Sequence, residues 1–484
     1  MAQSETLERK LADEQQVFAP PLGSLVHRAP VVCTEQLPLD AVVRLMHEQG
    51  VGCVVVLDAR SRPVGIFTEH DVIRVLAQDL AATQVAAAMT RDPIALPAHA
   101  LAYEAALAMV EHNIRHVLVT EEGRLLGVIS ERDLFALQRL GLAGLTMEIR
   151  LAGDIALLAR LAGDIRRLTA RLVEQGVGAE QLTLFVSVLN DRLSQRVIEL
   201  VRKRYEWDRI GWCWLAFGSE GRLEQTFSSD QDNGLLFEAH GAPAAQARST
   251  LLAFCREVNE ALDACGFPLC KGNVMASNPE LCLALDEWKE KMGGWLDTPD
   301  PQALLDAAIC FDLRPLSGDA SLAQALREWL LARTRTRSAF LRLMATNALQ
   351  ARPALGMLAD FATEDAPEAA GTINLKLHGI RPFVDAARVY ALAFGLPQTG
   401  TAQRLRAAVA ELRMAPAEMA AIVEAFFFIQ KLRLRIQARP GAQSHESANR
   451  IDPSTLNDFE RRSLKEALRQ ARRLQQRLAL DYDL

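Results

Sequence analysis

Asp230 and Asp232 flank a single glutamine and lead into the apolar run Leu235-Leu236-Phe237. Residues two apart on a strand point to one face, so on a strand starting near Asp230 both carboxylates project together. Two convergent carboxylates form a hard oxygen site suited to Mg²⁺ or Mn²⁺. About a dozen residues upstream, Gly218-Ser219 interrupts the aromatic-rich run Trp212 to Phe217. A Gly-Ser turn that opens towards a helix N-terminus offers backbone N–H groups to a phosphate. A phosphate cradle beside metal-binding carboxylates is what nucleotide transfer needs: a held triphosphate, a metal on its oxygens and in-line attack.

The elements that must position these groups are two apolar strands, one ending at Phe217 and one following Asp232. Next come an amphipathic helix over 244–265, a further strand over 267–274, helix and turn over 279–295, and an apolar, strand-like stretch around Asp312. The whole pattern is Gly218-Ser219-x-Gly221-Arg222-x-Glu224, then Ser229-Asp230-x-Asp232. It resembles the signature of the DNA polymerase β-like nucleotidyltransferases, and most closely the bacterial PII uridylyltransferase and glutamine synthetase adenylyltransferase branch. That resemblance implies a mixed sheet with helices and a catalytic metal site on Asp230 and Asp232. It implies nucleotide contacts from Gly218, Ser219, Arg222, Glu224 and Ser229, with Arg222 on a phosphate. The branch also has an Asp-x-Arg…Gly stretch whose acid completes the metal site; here it matches Asp312-x-Arg314…Gly318. Two plainer alternatives stand beside these roles. Arg222 and Glu224 can pair with each other, and Asp312 on an edge strand can pair with Arg314 on the same face. Lys271 could reach nucleotide, although exposure is the ordinary state of a lysine.

An internal repeat precedes this region. Val64-Gly65-Ile66-Phe67-Thr68-Glu69-His70-Asp71 returns as Leu126-Gly127-Val128-Ile129-Ser130-Glu131-Arg132-Asp133. Each copy is preceded by an amphipathic helix, a β-rich run and a polar turn. This strand-helix-strand-strand-helix unit resembles the cystathionine-β-synthase (CBS) domain, which works in tandem pairs. In that family the Thr/Ser-x-x-Asp end binds adenosyl ligands, which implies Thr68, Asp71, Ser130 and Asp133 as regulatory ligand residues. Ser/Thr-x-x-Asp is also a helix N-cap pattern, with or without ligand.

The chain has 484 residues, enough for several cores. The expected fold is multidomain α/β plus all-α. It comprises a tail over 1–20, CBS repeats over 21–80 and 81–140, and a helical linker over 141–210. A nucleotidyltransferase core over 211–330 and a helical bundle over 335–484 follow. The bundle, with the polar cluster Asn374, Lys376, His378, Arg381, Asp385 and Arg388, resembles the substrate-binding domain of CBS-containing signalling proteins. His378 could touch substrate or serve structure. A formal charge of −6 and a pI near 5.9 give no electrostatic case for nucleic acid or acidic membrane as a partner. Eight scattered cysteines, no signal-peptide pattern and no long apolar run point to a reducing, cytoplasmic setting without a membrane span. The cyclic-nucleotide-binding domain that opens the long relatives is expected to be absent, as is the uridylyltransferases' His-Asp hydrolase.

The expected activity is Mg²⁺-dependent transfer of UMP or AMP from UTP or ATP to a protein acceptor. Adenine-nucleotide binding to a CBS pair, which also forms a homodimer, is expected to regulate it. The alternatives are an inactive nucleotide-sensing scaffold and an enzyme acting on a small hydroxyl compound.

Overall fold

The computed structural model describes residues 21–484, except 27–28, 78–83, 113, 131–141, 175, 208–209, 228, 240–243, 357–359, 365–368 and 440–446. The chain divides into two compact units, Met1–Met147 and Glu148–Leu484.

The first unit realises the repeat. In copy one, helix α1 (Leu39–Gln49) stands between β1 (Val32–Thr34) and β2 (Cys53–Leu57); β3 (Pro63–Thr68) and α2 (Glu69–Ala77) follow. Strand β4 (Thr90–Arg91) adds to the same sheet, which runs β1-β2-β3-β4. Copy two has β5 (Ala95–Pro97), α3 (Ala102–His112), β6 (His116–Glu121) and β7 (Arg124–Ser130) in the order β5-β6-β7. In each copy the first strand pairs parallel to the second and the second antiparallel to the third. The repeated glycine has a packing reason. A Cβ on Gly65 would lie 2.3 Å from the Met89 sulfur, and one on Gly127 2.3 Å from a Val26 methyl.

The second unit is built on a four-stranded mixed sheet in the order β10-β9-β8-β11. Its strands are β8 (Ile210–Ala216), β9 (Asn233–Ala239), β10 (Cys282–Ala284) and β11 (Arg314–Gly318). Strand β9 is antiparallel to β8 and parallel to β10. Period-two alternation sends Cys213, Leu215 and Phe217 into one core. Trp214 turns the other way, to an edge-on contact with Phe254, at 6.3 Å between ring centroids. The helices are α4 (Ile155–Glu174), α5 (Ala179–Arg202), α6 (Gly218–Gly221), α7 (Ala244–Ala264), α8 (Leu285–Asp297), α9 (Pro301–Cys310) and α10 (Ala320–Thr334). The C-terminal helices are α11 (Ser338–Ala348), α12 (Arg381–Phe394), α13 (Thr401–Ala408), α14 (Pro416–Gln437) and α15 (Asp458–Asp481). One continuous apolar cluster runs from Cys213 and Phe217 through Leu326 and Phe383 to Leu478. The sheet and the C-terminal helices therefore bury their apolar faces against each other, and neither closes a core alone.

Three local expectations change. Helices α4 and α5, expected as part of a linker, pack on this unit. The Gln225 N–H donates to Ser187 Oγ at 3.0 Å, and Gln195 Nε2 donates to the Leu316 carbonyl at 2.8 Å. The expected strand over 267–274 is a loop, although its Pro268 and Val274 carbonyls accept the Gln231 and Asn233 N–H groups. The stretch before Asp312 is helix α9, and β11 starts only at Arg314. Asp300 caps that helix by accepting from the Ala303 N–H at 2.7 Å, and Pro301 takes the first position.

Candidate functional site: the turn between strands β8 and β9

Strand β8 is followed by the extended Phe217, and Gly218 then takes φ +50° to open the single turn α6. A Cβ on Gly218 would lie 2.5 Å from Asp232 Oδ2, and one on Gly221 2.0 Å from the Asp312 carbonyl oxygen. Both signature glycines therefore exist for close approach, and Gly218 also for its left-handed conformation. The Phe217 N–H donates to the Asp232 carbonyl at 2.8 Å, which locks the turn against the Asp230–Asp232 run. Helix geometry leaves the N–H groups of Gly218, Ser219 and Glu220 without intrahelical acceptors.

Asp230 and Asp232 sit just before β9, both half-buried. The residues that alternate with them face inward. Gln231 Nε2 donates to the Asn259 and Phe267 carbonyls, and its Oε1 accepts from Asn259 Nδ2 at 2.7 Å. Asn233 Oδ1 accepts from the Ala276 N–H and from Asn259 Nδ2. This buried amide network fixes the register, because slipping it by one residue would bury the carboxylates and expose the amides. Burial and then the neighbouring Asp230 charge push the Asp232 carboxyl up to about 6; the Cys270 thiol, Lys376 and Arg222 oppose them. The Cys270 sulfur lies 3.5 Å from Asp232 Oδ1. Two carboxylates that resist joint ionisation are relieved by a divalent cation between them. No group of three or more His, Cys, Asp or Glu side chains able to hold a metal occurs among the described residues. The donor set thus fits Mg²⁺ bound by one or two carboxylates, with waters and substrate phosphates as its other ligands.

Asp312 does not complete this pair. It lies between α9 and β11 with no solvent exposure. Its oxygens accept from Arg222 Nη1 at 2.6 Å, Arg388 Nε at 3.0 Å, Arg388 Nη2 at 2.7 Å and Arg404 Nη1 at 2.5 Å. Burial opposes its ionisation, but the Arg388, Arg404 and Arg222 guanidinium groups outweigh it and hold the carboxyl well below the usual range. A carboxylate walled in by three cations has neither a free face nor a favourable field for a metal. The alternative edge-strand partner is absent too: Arg314 donates to Asp191 at 2.9 Å and to the Glu220 carbonyl at 3.1 Å.

Arg222 and Glu224 are likewise committed within the protein. Arg222 Nε donates to Glu224 Oε2 at 2.8 Å, the internal pair. Glu224 accepts from the Thr401 N–H at 2.6 Å and the Thr401 hydroxyl at 3.1 Å. Ser229 Oγ accepts from the Thr226 N–H at 3.0 Å and closes a local turn. Of the expected site residues, the turn thus gathers Gly218, Ser219, Asp230 and Asp232, whereas Arg222, Glu224 and Asp312 tie it to the C-terminal helices. Sequence reasoning missed Glu220, Cys270, Asn259, Thr401 and Arg404. Gln231 and Asn233 carried a signal, because they alternate with the aspartates.

In the first unit, Asp71 is buried, and its Oδ2 accepts from the Thr68 N–H at 2.9 Å and the Thr68 hydroxyl at 2.8 Å. Arg74 pairs with its other oxygen at 2.7 Å. That is the capping arrangement at the start of α2. Ser130 ends β7, and Asp133 lies outside the described residues. A cleft of about 490 Å³ in this unit is walled by Pro30, Val32, Leu57, Arg60, Arg124 and Leu125 among others, not by Thr68 or Asp71.

All eight cysteines are free, and no helix among the described residues is long and apolar enough to cross a membrane.

Comparison with known proteins agrees with this organisation. Residues 22–78 and 84–139 match the CBS domain, residues 163–302 match the family described as "Putative nucleotidyltransferase DUF294", and residues 338–482 match the "Putative nucleotidyltransferase substrate binding domain". The nucleotidyltransferase match begins within α4, consistent with the packing of α4 and α5 on this unit. The chain is 31% identical over 108 residues to an uncharacterized protein of Methanopyrus kandleri, covering 21% of this chain and 55% of that one. It is 34% identical over 113 residues to hypoxic response protein 1 of Mycobacterium tuberculosis, covering 22% and 79%. It spans about half the length of the first of these curated relatives. A CBS domain protein from Pyrobaculum aerophilum, solved in complex with AMP, is 30% identical, with 26% of this chain and 98% of that chain covered and a TM-score of 0.24. With both CBS repeats, the mixed-sheet unit and the helical domain all matched, the chain belongs to the CBS-domain proteins that carry a DUF294 nucleotidyltransferase domain and its substrate-binding helical domain.

Proposed function

We propose that the protein is a Mg²⁺-dependent nucleotidyltransferase that moves UMP or AMP from UTP or ATP to a protein acceptor, under control of an adenine nucleotide bound to its CBS pair. The observation that carries this reading is the apposition of the Asp230–Asp232 pair and the Gly218-Ser219 turn, close enough that any side chain at 218 would strike Asp232. In it Asp230 and Asp232 hold the cation, which when bound supplies charge neutralisation on the phosphates. The amides of Gly218 and Ser219 orient the triphosphate, and the buried Gln231–Asn233–Asn259 network keeps both carboxylates on one face. Thr68, Asp71, Ser130 and Asp133 remain the regulatory ligand residues of this reading. Asp71 would exchange its Thr68 and Arg74 contacts for ribose hydroxyls. Paired CBS units would form the dimer contact.

The test is incubation of the whole protein with α-labelled ATP or UTP and Mg²⁺, alone and with cell lysate. A labelled protein that disappears with Asp232→Asn supports the reading, and Asp230→Asn should behave likewise, each at least about 100-fold down. Label only on a small molecule moves the acceptor to a hydroxyl compound. The engagement of Asp312 by three arginines favours one further alternative, a nucleotide-binding scaffold without turnover. Magnesium-dependent nucleotide binding with no label transfer in any condition would establish it.

A further inference from the structure

Helix α5 buries a polar face that includes Thr183, Ser187, Asn190 and Asp191. These are middling or poor residues for a helix interior, because their side chains compete for backbone hydrogen bonds. Three of them are accounted for. The Thr183 hydroxyl donates to the Ala179 carbonyl at 2.9 Å, Ser187 Oγ accepts the Gln225 N–H, and Asp191 takes Arg314. Asn190 is not. It is 8% exposed, and among the described residues its carboxamide has no hydrogen-bond partner. Thr226, 5% exposed, is in the same state. Its backbone N–H and carbonyl meet Ser229 Oγ at 3.0 and 3.4 Å, but its hydroxyl has no partner among the described residues. A buried polar group left unpaired costs stability, so two of them in one place need a reason.

Both line one recess, whose wall also includes Arg166 of α4, Phe227, Ser229 and Phe267. The protein does not seal off the Asn190 amide or the Thr226 hydroxyl, so each faces open space. Counted to its solvent-open mouth the recess encloses about 380 Å³, with about 20 Å³ of room for the centre of a water molecule. Room on this scale suits a water or the edge of a flat group, and not a bulky one. The recess borders the Asp230–Asp232 segment. Ser229 in its wall precedes Asp230, and the carbonyl of Phe267, on another loop of the wall, accepts from Gln231 Nε2 at 2.8 Å. Arg166 Nη2 donates to the Gly266 carbonyl, and a Cβ on Gly266 would strike that guanidinium. Arg166 is exposed and has no acid partner among the described residues.

We propose that this recess takes the base of the nucleoside triphosphate held at Asp230 and Asp232, and that Asn190 reads the polar edge of that base. This rests on the reading of the site given above. A carboxamide presents a donor and an acceptor side by side, the complement of a base edge, as in the bidentate pairing of asparagine with adenine. The Thr226 hydroxyl donates or accepts and can meet a further edge atom. Phe227 and Phe267 supply aromatic, apolar surface for the ring. Arg166 adds positive charge to the wall, which favours a polyanionic nucleotide over an uncharged nucleoside. A base that matches the amide and the hydroxyl satisfies both. One that does not leaves them unpaired, so the recess selects among bases.

The test is calorimetric titration of the full-length protein with each of the four MgNTPs and with magnesium tripolyphosphate, which has the phosphates and no base. Wild type, Asn190→Leu, Thr226→Val and Asp232→Asn are compared. Because the CBS pair can also take nucleotide, the site is identified as the binding event that Asp232→Asn weakens. For that event wild type should favour one base, and Asn190→Leu should raise the Kd of the favoured MgNTP about 10- to 100-fold and level the four. Thr226→Val should raise it about 5- to 10-fold. Tripolyphosphate binding should stay within about twofold in both. Leucine is branched like the amide but apolar, so the melting temperature of Asn190→Leu should hold or rise. If that variant does not fold, Thr226→Val decides by the same comparison. Unchanged MgNTP binding in Asn190→Leu, beside a clear loss in Asp232→Asn, overturns the base recess and leaves the metal site standing. Equal weakening of MgNTP and tripolyphosphate also overturns it, since Asn190 would then act through the phosphates or the fold. Wild type that binds the four MgNTPs alike, or none more tightly than tripolyphosphate, overturns it as well. Nucleotide binding that Asp232→Asn does not alter overturns the site and the proposal together.

Discussion

The surroundings of two buried carboxyls, Asp312 and Glu220, drive them in opposite directions. Burial, then the Asp191 charge, pushes Glu220 up to about 8, with Arg314 opposing and Asp232 adding. A carboxyl whose folded value is raised binds more protons folded than unfolded, so its contribution to stability is lost as pH climbs from about 4.5 to about 8. Glu220→Gln should flatten that decline and gain up to a few kcal/mol at pH 8; urea unfolding at pH 5, 6.5 and 8 reads this directly. Equal slopes in both proteins would show that Glu220 is not the group responsible. Asp312 has the reverse sign: its folded value is depressed, so its stabilisation is present at neutral pH and is lost only in acid. Asp312→Asn should cost about 3–5 kcal/mol, because three guanidinium groups lose their shared counter-charge. Magnesium affinity should stay unchanged. A protein of normal stability that no longer binds Mg²⁺ would restore the metal role.

At the scale of elements, the turn α6 is tightly confined by neighbouring backbone. A Cβ on Gly221 would lie 2.0 Å from the Asp312 carbonyl and 2.9 Å from the Ala216 carbonyl, both unyielding backbone atoms. Gly221→Ala is therefore expected to cost about 3 kcal/mol or more and to move the Gly218-Ser219 amides. Guanidinium unfolding measures the loss, and a wild-type midpoint would contradict the packing described. Helix α5 backs the turn from behind: Ser187 takes the Gln225 N–H, Asp191 takes Arg314, and Arg314 holds the Glu220 carbonyl. These contacts explain why a helix that reads as a spacer is structural to the site. Two arginines, the buried Arg433 and the half-buried Arg327, are held by neutral acceptors. Arg433 meets only the neutral oxygens of Asn449 and Gln430, and Arg327 donates to the Leu313 and Pro397 carbonyls. Burial pushes both down to about 10, with a neighbouring arginine adding in each case.

For the whole molecule, the shared apolar core makes the mixed sheet and the helical domain one cooperative unit. The two should melt together, and the ionic run through Asp312 ties the residues of both to one geometry. In the proposed function the part of the CBS unit is regulatory. A ligand shifts an equilibrium only by its differential affinity for the two states, and typical couplings of ~1–3 kcal/mol correspond to about 5- to 150-fold. AMP or ATP should therefore change the transfer rate or nucleotide affinity of the full chain within that range, and Asp71→Ala should reduce the response. Identical activity at all AMP concentrations, in a protein shown to bind AMP, would leave the pair an assembly module.

Much of this protein was legible in its chain because the relevant information is local. Periodicity marked helices beginning near Ser338, Pro382 and Pro416. The repeated glycines marked matching hairpins, and Gly218-Ser219 with Asp230-x-Asp232 marked the turn that the fold brings together. Short apolar stretches were less legible, since α9 and a buried strand share one apolar signature and only the Asp300-Pro301 cap told them apart. The fate of the charged signature residues was not legible at all. Arg222 finds Asp312 across 90 residues of chain, Asp312 finds Arg388 across 76, and Glu224 finds Thr401 across 177. Spacing along the chain reveals which residues share a face. Whether an acid on that face meets solvent, a metal or three guanidinium groups depends on which distant helix packs over it.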